Sequence, residues 1–348
     1  MILFEEREQT TQGKTKVPVW FMRQAGRYHS HYQGIKKNSD FMTMCKNPEL
    51  ALEITMGPID DFNFDAAILF SDLLFPLEQL NMGLSYKSGP PTLEWKMEDV
   101  TSLKKLKVLK PSEEFYKFQG DALKLLKNKL PHKKTLLGFV GAPFTLYTYA
   151  CEGSHAGNLT NSKLGFYDGR FEAFTEILLP ELEKNMKIQA EGGADALCLF
   201  DTAVGELTLP DFKRFIIPKI KELTRKFKKE FPNKKIIYYS KLTHLDYLKA
   251  IEDENIDVLG VDWRHSLKNV LKELGNDYYI QGNIDPSYLH LPWNKLEHYL
   301  EEFWNDLIDT PNLPLNKWIC GLGHGVLRTT PEDNVRRTVK YIHENFVY

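Results

Sequence analysis

The chain reads as an α/β protein: a single (β/α)8 TIM barrel with an inserted hairpin and helix segment after the second strand. Three observations predict it. Eight short apolar runs alternate with helical patterns along the 348 residues. The runs are mostly continuous rather than alternating, as strands buried on both faces are. Polar residues or glycines follow every run, where a barrel collects its chemistry. An open doubly wound sheet is the alternative. The count of eight and the lack of a glycine-rich phosphate loop favour the barrel.

The runs are Val17–Met22, Ala66–Phe70, Leu136–Val140, Ala196–Phe200, Ile236–Tyr239, Val258–Val261, Tyr278–Gln281 and Trp318–Cys320. Between them lie the helical patterns. Pro48–Phe62 carries Leu50, Leu52, Ile54, Met56 and Ile59. Phe171–Gly192 ends at Gly192-Gly193, a C-cap signal. Pro210–Glu230 places Phe212, Phe215, Ile216, Ile220, Leu223 and Phe227 at helical spacing. His244–Glu254, Ser266–Leu274 and Trp293–Leu307 follow. The last, Pro331–Asn345, has Thr330 in position for an N-cap and Pro331 in the first turn. The one long interruption, Leu73–Lys134, holds Gly89-Pro90-Pro91 and a charged helical stretch around Asp99–Lys129. It reads as an insertion, leaving residues 1–16 as an N-terminal extension and 17–348 as one barrel domain.

Composition narrows the function. The chain is 42% hydrophobic and 26% charged, enough for a sizeable core. A formal net charge of −2 argues against general binding to nucleic acid or an acidic membrane. Cys45, Cys151, Cys198 and Cys320 show no C-x-x-C spacing and none stands two residues from a histidine, so they suggest a reducing compartment and no cysteine-based zinc site. No run approaches the ~18 apolar residues of a membrane span. The first residues lack an apolar signal core and carry acids. The expected location is the cytoplasm, or a plastid or other organelle if a leader has been trimmed.

The strand ends supply the candidate site. After the first run, Arg23-Gln24-Ala25-Gly26-Arg27 sets two of the chain's ten arginines four residues apart around a glycine. Two guanidinium forks there form an anion grip, or else two surface arginines beside a turn. Asp72, after the second run, either caps a helix or meets a positive charge that develops in a reaction. Tyr149 is a packing residue or a phenol donor. Thr202 follows the fourth run beside Asp201, and Lys241 and His244 follow the fifth. Asp262-Trp263-Arg264 reads as a local salt bridge over a buried indole. His324 is either a core histidine or, since Gly323 and Gly325 flank it, part of a close backbone approach to something, which the glycines favour.

Taken together these residues resemble the uroporphyrinogen decarboxylase family from about Pro18 to the last helix. The resemblance rests on PVWFMRQAGRY (Pro18–Tyr28) and GFVGAPFTLYTYACEG (Gly138–Gly153). DAAILFSDLL (Asp65–Leu74), GVDW (Gly260–Trp263), QGNIDP (Gln281–Pro286) and GLGHG (Gly321–Gly325) agree with it. It implies a barrel that acts as a homodimer without metal or organic cofactor, removing the four acetate carboxyls of uroporphyrinogen III to give coproporphyrinogen III. It implies that Arg23, Gln24, Ala25, Gly26, Arg27 and Lys36 contact the porphyrinogen carboxylates and edge. Asp72 accepts from the pyrrole N–H groups, and Tyr149, Thr202 and His324 complete the pocket. Catalysis falls to Asp72, Arg23, Arg27, Tyr149 and His324. The chain departs from many relatives at His29-Ser30-His31, at Leu327-Arg328, and at Thr202, which stands where a pocket serine is expected. Three other readings compete: a zinc-dependent thiol or corrinoid methyltransferase of the same superfamily, a porphyrinogen carrier without activity, and an unrelated barrel enzyme acting on another polycarboxylate. The missing His/Cys spacing disfavours the first, the intact polar set the second, and the length of the motifs the third.

Overall fold

The structure, a computed structural model, describes residues 1–86 and 90–348. Seven parallel strands pair in chain order: β1 (Ala66–Ile68), β2 (Thr135–Gly141), β3 (Ala196–Asp201), β4 (Lys235–Ser240), β5 (Val258–Gly260), β6 (Tyr279–Ile284) and β7 (Trp318–Leu322). Unbroken order with helices between strands is the winding of a (β/α) barrel. The sheet curls, and Val17–Met22 fills the gap between β7 and β1. Cys320 donates to the Pro18 carbonyl at 2.8 Å, Trp20 donates to Cys320 at 3.2 Å, and Asp65 donates to Val19 at 2.9 Å.

The first run is thus the eighth wall but not a regular strand. Pro18 has no N–H to give. The Val19 N–H goes to the Asp65 carboxylate at 2.7 Å instead of to a neighbouring backbone carbonyl. The other seven runs form strands as expected, with ends shifted by up to three residues.

Alternation along the strands divides the apolar residues into two layers. Ala66, Ile68, Leu137, Phe139, Cys198, Phe200 and Ile237 fill the barrel interior with Trp20 and Ile319. Ala67, Leu136, Val140, Leu197, Leu199 and Ile236 face the helices. Residues 1–16 add Leu3 and Phe4, both buried, to the interior layer, so this segment packs as a plug in the end where the strands begin.

The helices follow the periodic stretches, with three differences. The Pro210–Glu230 pattern breaks into Leu209–Asp211, a wide π turn over Phe212–Ile216, and Ile217–Glu230. Pro218 supplies the reason: without an N–H it cannot continue the ladder of the preceding turn. The last helix begins at Glu332 with Pro331 at its cap and no side-chain cap bond. The Thr330 hydroxyl is buried without a partner, so it does not cap the helix. Short helices at Ser30–Lys36 and Phe41–Lys46 carry too few turns for their periodicity to show in the sequence. The Gly192-Gly193 stop is present, with Gly193 the left-handed residue at φ +111°.

The insertion is as expected in kind. Ser85 and Thr92 exchange backbone hydrogen bonds at 2.9 and 3.0 Å as the neck of a hairpin. The helix Lys117–Lys129 then leads into β2. Gly89 of the expected Gly-Pro-Pro turn lies outside the described residues.

Candidate active site

The loop after the first run is built on Gln24. Its side chain is buried; Nε2 donates to the Ala66 carbonyl at 2.9 Å and Oε1 accepts from the Phe21 N–H at 3.4 Å. The Tyr28 hydroxyl donates to the Gln24 carbonyl at 2.7 Å. These bonds hold Arg23 in a left-handed conformation at φ +60°. A non-glycine residue there costs of order 1–3 kcal/mol, and such strain collects at functional sites. The conformational work falls to Arg23 and not to Gly26, whose role is clearance: a Cβ on Gly26 would lie 3.1 Å from the Arg23 carbonyl oxygen.

Arg23 is the centre of the site. Its charge bears on Asp72, Tyr149, His155, Lys241 and His324, which arrive from four strand ends or loops and one helix. Its stem lies against Gly325, where an added Cβ would come within 2.4 Å of Arg23 Cδ. That close approach explains the glycine after His324. Among the described residues Arg23 has no carboxylate within ion-pair distance, and neither has Lys241.

Asp72 is half-buried after β1. Oδ1 accepts from the Leu74 N–H at 2.7 Å and Oδ2 from the Tyr86 hydroxyl at 2.5 Å. Burial raises its pKa above the usual carboxylate range, while these two donors and the Arg23 charge pull it back. The carboxylate therefore both closes a local turn and faces the cleft, so its two sequence readings hold together.

Tyr149, on the helix Pro143–Glu152, shares a 2.7 Å hydrogen bond with His155 Nδ1. Burial, and then the Asp72 charge, push its phenol up to about 12. His155 and His324 are both brought down to about 4, first by burial and then by the Arg23 and Lys241 charges. Both imidazoles are neutral at pH 7. Lys241 is half-buried at the end of β4; burial and the guanidinium of Arg264 lower its pKa. It lines the cleft, whereas His244 is exposed. Thr202 is half-buried, its N–H donating to Thr145 Oγ1 at 2.8 Å. Thr145 in turn donates to Asp201, which is fully buried and pushed up to about 7 by that burial. Asp262-Trp263-Arg264 has the salt bridge over an indole read from sequence, Arg264 pairing with Asp262 at 2.9 Å and lying over the Trp263 ring at 4.5 Å, but that indole is half-buried rather than buried.

Not all the expected contacts converge. Arg27 and Lys36 are exposed, as Arg23 is, but unlike Arg23 neither is among the charges that dominate at Asp72, Tyr149 or His324. The Gln24 side chain is committed beneath the loop, and Ala25 packs against the core. Tyr86 and His155 belong to the cleft but escaped the sequence reading, and Lys241 belongs to it although the sequence reading assigned it no role. Lys241 was visible as a strand-end residue; Tyr86 and His155 come from loops that carry no pattern.

A cavity of about 590 Å³ lies at the opposite end, among residues such as Asp65 and Lys134 that precede the strands. Its charges are largely paired, His343 to Asp65 at 2.9 Å and Arg336 to Glu332 at 3.2 Å. The perturbed groups that gather around Arg23, namely Asp72, Tyr149, His155, Lys241 and His324, lie on the C-terminal side of the strands, which makes that cleft the candidate active site.

The four cysteines are all buried and unbridged, with burial raising each thiol well out of the thiolate range. Among the described residues, the one His/Cys/Asp/Glu grouping close enough to share an ion is His29, Asp61 and Glu332, which offers no sulfur. The donor set of a zinc–thiolate site is not assembled.

The uroporphyrinogen decarboxylase family profile matches residues 7–345. The chain belongs to the uroporphyrinogen decarboxylase family. It is 34% identical to the uroporphyrinogen decarboxylase of Carboxydothermus hydrogenoformans over 94% of this chain and 92% of that one. With the uroporphyrinogen decarboxylase of Geobacter sulfurreducens it shares 33% identity over 94% of both. Among solved structures it is similar to a methyltransferase from Methanosarcina mazei, with a TM-score of 0.71 at 15% identity over 94% of both chains. A putative vitamin-B12-independent methionine synthase from Listeria monocytogenes gives 0.56 at 13% identity, over 98% of this chain and 99% of that one. At such identities the structural likeness establishes the barrel fold and nothing finer. Arg23, Asp72, Tyr149 and His324 all lie within the motifs that carry the resemblance, Arg23 after the first run, Asp72 and His324 after strand ends and Tyr149 on the helix that follows β2.

Proposed function

We propose that this protein is a uroporphyrinogen decarboxylase, removing the four acetate carboxyls of uroporphyrinogen III as CO2 to give coproporphyrinogen III in haem biosynthesis. The observation that carries the reading is the charge pattern of the cleft. Two cations that have no carboxylate within ion-pair distance among the described residues, Arg23 and Lys241, influence one another, and Arg23 also bears on one half-buried carboxylate, Asp72. A ligand rich in carboxylates with a core that becomes cationic fits both halves of that pattern.

The chemistry follows from the same groups. Loss of CO2 from a pyrrole acetate leaves an electron pair that must be accommodated. Protonating the pyrrole carbon beside the acetate-bearing position makes the ring a cation that can take the pair as the C–C bond breaks. A proton then adds to the exocyclic methylene and the ring proton departs. The net change per acetate is R–CH2–COO⁻ + H⁺ → R–CH3 + CO2. Arg23 holds the acetate with its guanidinium fork. Asp72 accepts from the pyrrole N–H groups and stabilises the ring cation, which a fixed carboxylate in a partly dry cleft does more strongly than water. His324 and His155 are neutral and serve as hydrogen-bonding groups rather than as stores of a proton at pH 7. Thr202 and the Tyr149 hydroxyl line the same cleft. Arg27 and Lys36 fit the rim, where exposed cations guide an anionic substrate inward.

A homodimer and a cytoplasmic setting belong to this reading through family likeness, and sedimentation of the purified protein tests the first. The reaction itself is tested by anaerobic incubation with uroporphyrinogen III and chromatography of the oxidised products. Stepwise conversion from eight carboxyls to four is expected. Substrate that binds and stays intact would replace the enzyme with a carrier.

A further inference from the structure

We propose that Tyr86, on the inserted hairpin, is the positioning residue of the Asp72 carboxylate, so that the insertion and not the barrel alone sets the charge state of the site. The inference deepens the decarboxylase reading and rests on it.

The argument begins with geometry. Asp72 has two oxygens and each has one protein donor: the Leu74 N–H at 2.7 Å and the Tyr86 hydroxyl at 2.5 Å. The first is local and comes with the turn. The second reaches across from a segment fourteen residues on, and an O–H to carboxylate bond of this length is of the strong, charge-assisted kind. Together the two donors fix the carboxylate plane, leaving the remaining lone pairs for a ligand.

The clamp is braced. The Tyr86 ring packs on Phe41 with centroids 4.6 Å apart, and Phe41 meets Phe70 edge-on at 5.8 Å. Phe70 stands two residues before Asp72 and donates its N–H to Thr55 Oγ1 at 2.9 Å. On the other side, the Ser85–Thr92 pair, with hydroxyls 2.9 Å apart, fixes the hairpin neck next to Tyr86. Both partners of the hydrogen bond are therefore held by packing that does not depend on the bond itself.

The remaining titratable groups facing Asp72 are Arg23 from the first loop, Glu78 from the helix Phe75–Gln79, Cys45 from the helix Phe41–Lys46, and Tyr149. Arg23 favours the charged carboxylate and Glu78 opposes it. Burial pushes toward the neutral acid, and the Tyr86 hydroxyl is the foremost influence holding the carboxylate ionised. A neutral Asp72 could not stabilise a ring cation.

The experiment is Tyr86→Phe, which keeps the ring on Phe41 and removes one oxygen. Carbon-13 titration of labelled aspartate, with Asp72→Asn used to assign the Asp72 signal, should show its midpoint rising by about one to two pH units. Without substrate this reports on positioning alone. In steady-state assays the acid limb of kcat should move up by the same amount. At neutral pH kcat should fall about tenfold, with KM changed less than about twofold, since a contact aimed at the transition state is lost rather than uniform binding. An unmoved midpoint and acid limb overturn the positioning role alone. A parent protein that leaves uroporphyrinogen III intact overturns the reading on which it rests.

Discussion

Arg23 sits at φ +60° because its neighbour Gln24 is anchored below the loop to the Ala66 carbonyl. Among the described residues the arginine has no carboxylate within ion-pair distance, whereas Arg264 and Arg170 at other strand or helix ends have theirs. Arg23 and Arg27 look equivalent in the sequence, and the structure separates them. Arg23→Ala should lower kcat/KM about a hundredfold or more, as loss of a charged group at the reacting centre does. Arg27→Ala should raise KM several-fold with kcat nearly unchanged, and show the stronger loss of its effect in salt. Steady-state kinetics at two ionic strengths distinguishes the pair. His324 carries a second residue-level consequence. Its pKa is lowered to about 4 in the folded state from 6.5, so between pH 6.5 and 4 the unfolded chain binds a proton that the folded chain does not. Folding stability therefore falls as pH drops through that window, and nothing is lost at pH 7.5. In melts at pH 7.5, 6 and 5, His324→Gln should gain on the parent as the pH falls, with no such gain above pH 7.

At the scale of elements, the GLGHG loop illustrates what was legible and what was not. The motif was visible, and the glycines pointed to a close approach, but not to its partner, which is the stem of Arg23 from the opposite end of the chain. Gly325→Ala puts a methyl group where Arg23 Cδ lies, 2.4 Å from the new Cβ. The obstacle is a flexible side chain and Gly325 has no positive φ, so the loop should keep its fold while Arg23 moves. The expected result is a loss of turnover approaching that of Arg23→Ala with a melting temperature within a few degrees of the parent. The strand ends were legible because burial on both faces leaves an apolar run with an abrupt polar stop. Asp72, Thr202 and His324 are found there, and Tyr149 on the helix that follows β2. Val17–Met22 was read as a strand because it is apolar; Pro18 and the Asp65 carboxylate instead give it a side chain as one of its partners. Tyr86 and His155 sit on loops whose course depends on distant packing, so no local period marks them. Gln24 was expected at the ligand because its motif is there; its amide is the loop's foundation.

For the whole molecule, the two ends of the barrel divide the work. Chemistry occupies the C-terminal ends of the strands, while Leu3 and Phe4 close the other end within the interior layer that includes Trp20, Ile68 and Ile237. The Phe4 ring meets Tyr279, the first residue of β6, edge-on at 5.3 Å. A strand of six residues such as β3 separates the ends by about 17 Å at 3.3 Å per residue. Packing at one end and catalysis at the other are therefore coupled only through a stiff, close-packed interior. Phe4→Ala removes a buried aromatic from that plug and should cost about 3–5 kcal/mol of stability, the range for buried Phe truncation. Denaturant unfolding measures it. Because Arg23, Asp72 and Tyr86 keep their own supports, kcat for uroporphyrinogen III in dilute buffer should stay within about twofold of the parent at temperatures where the variant is folded. A matching loss of kcat in the folded variant would show instead that the plug sets the geometry of the cleft, and that the N-terminal segment acts on the site through the barrel interior.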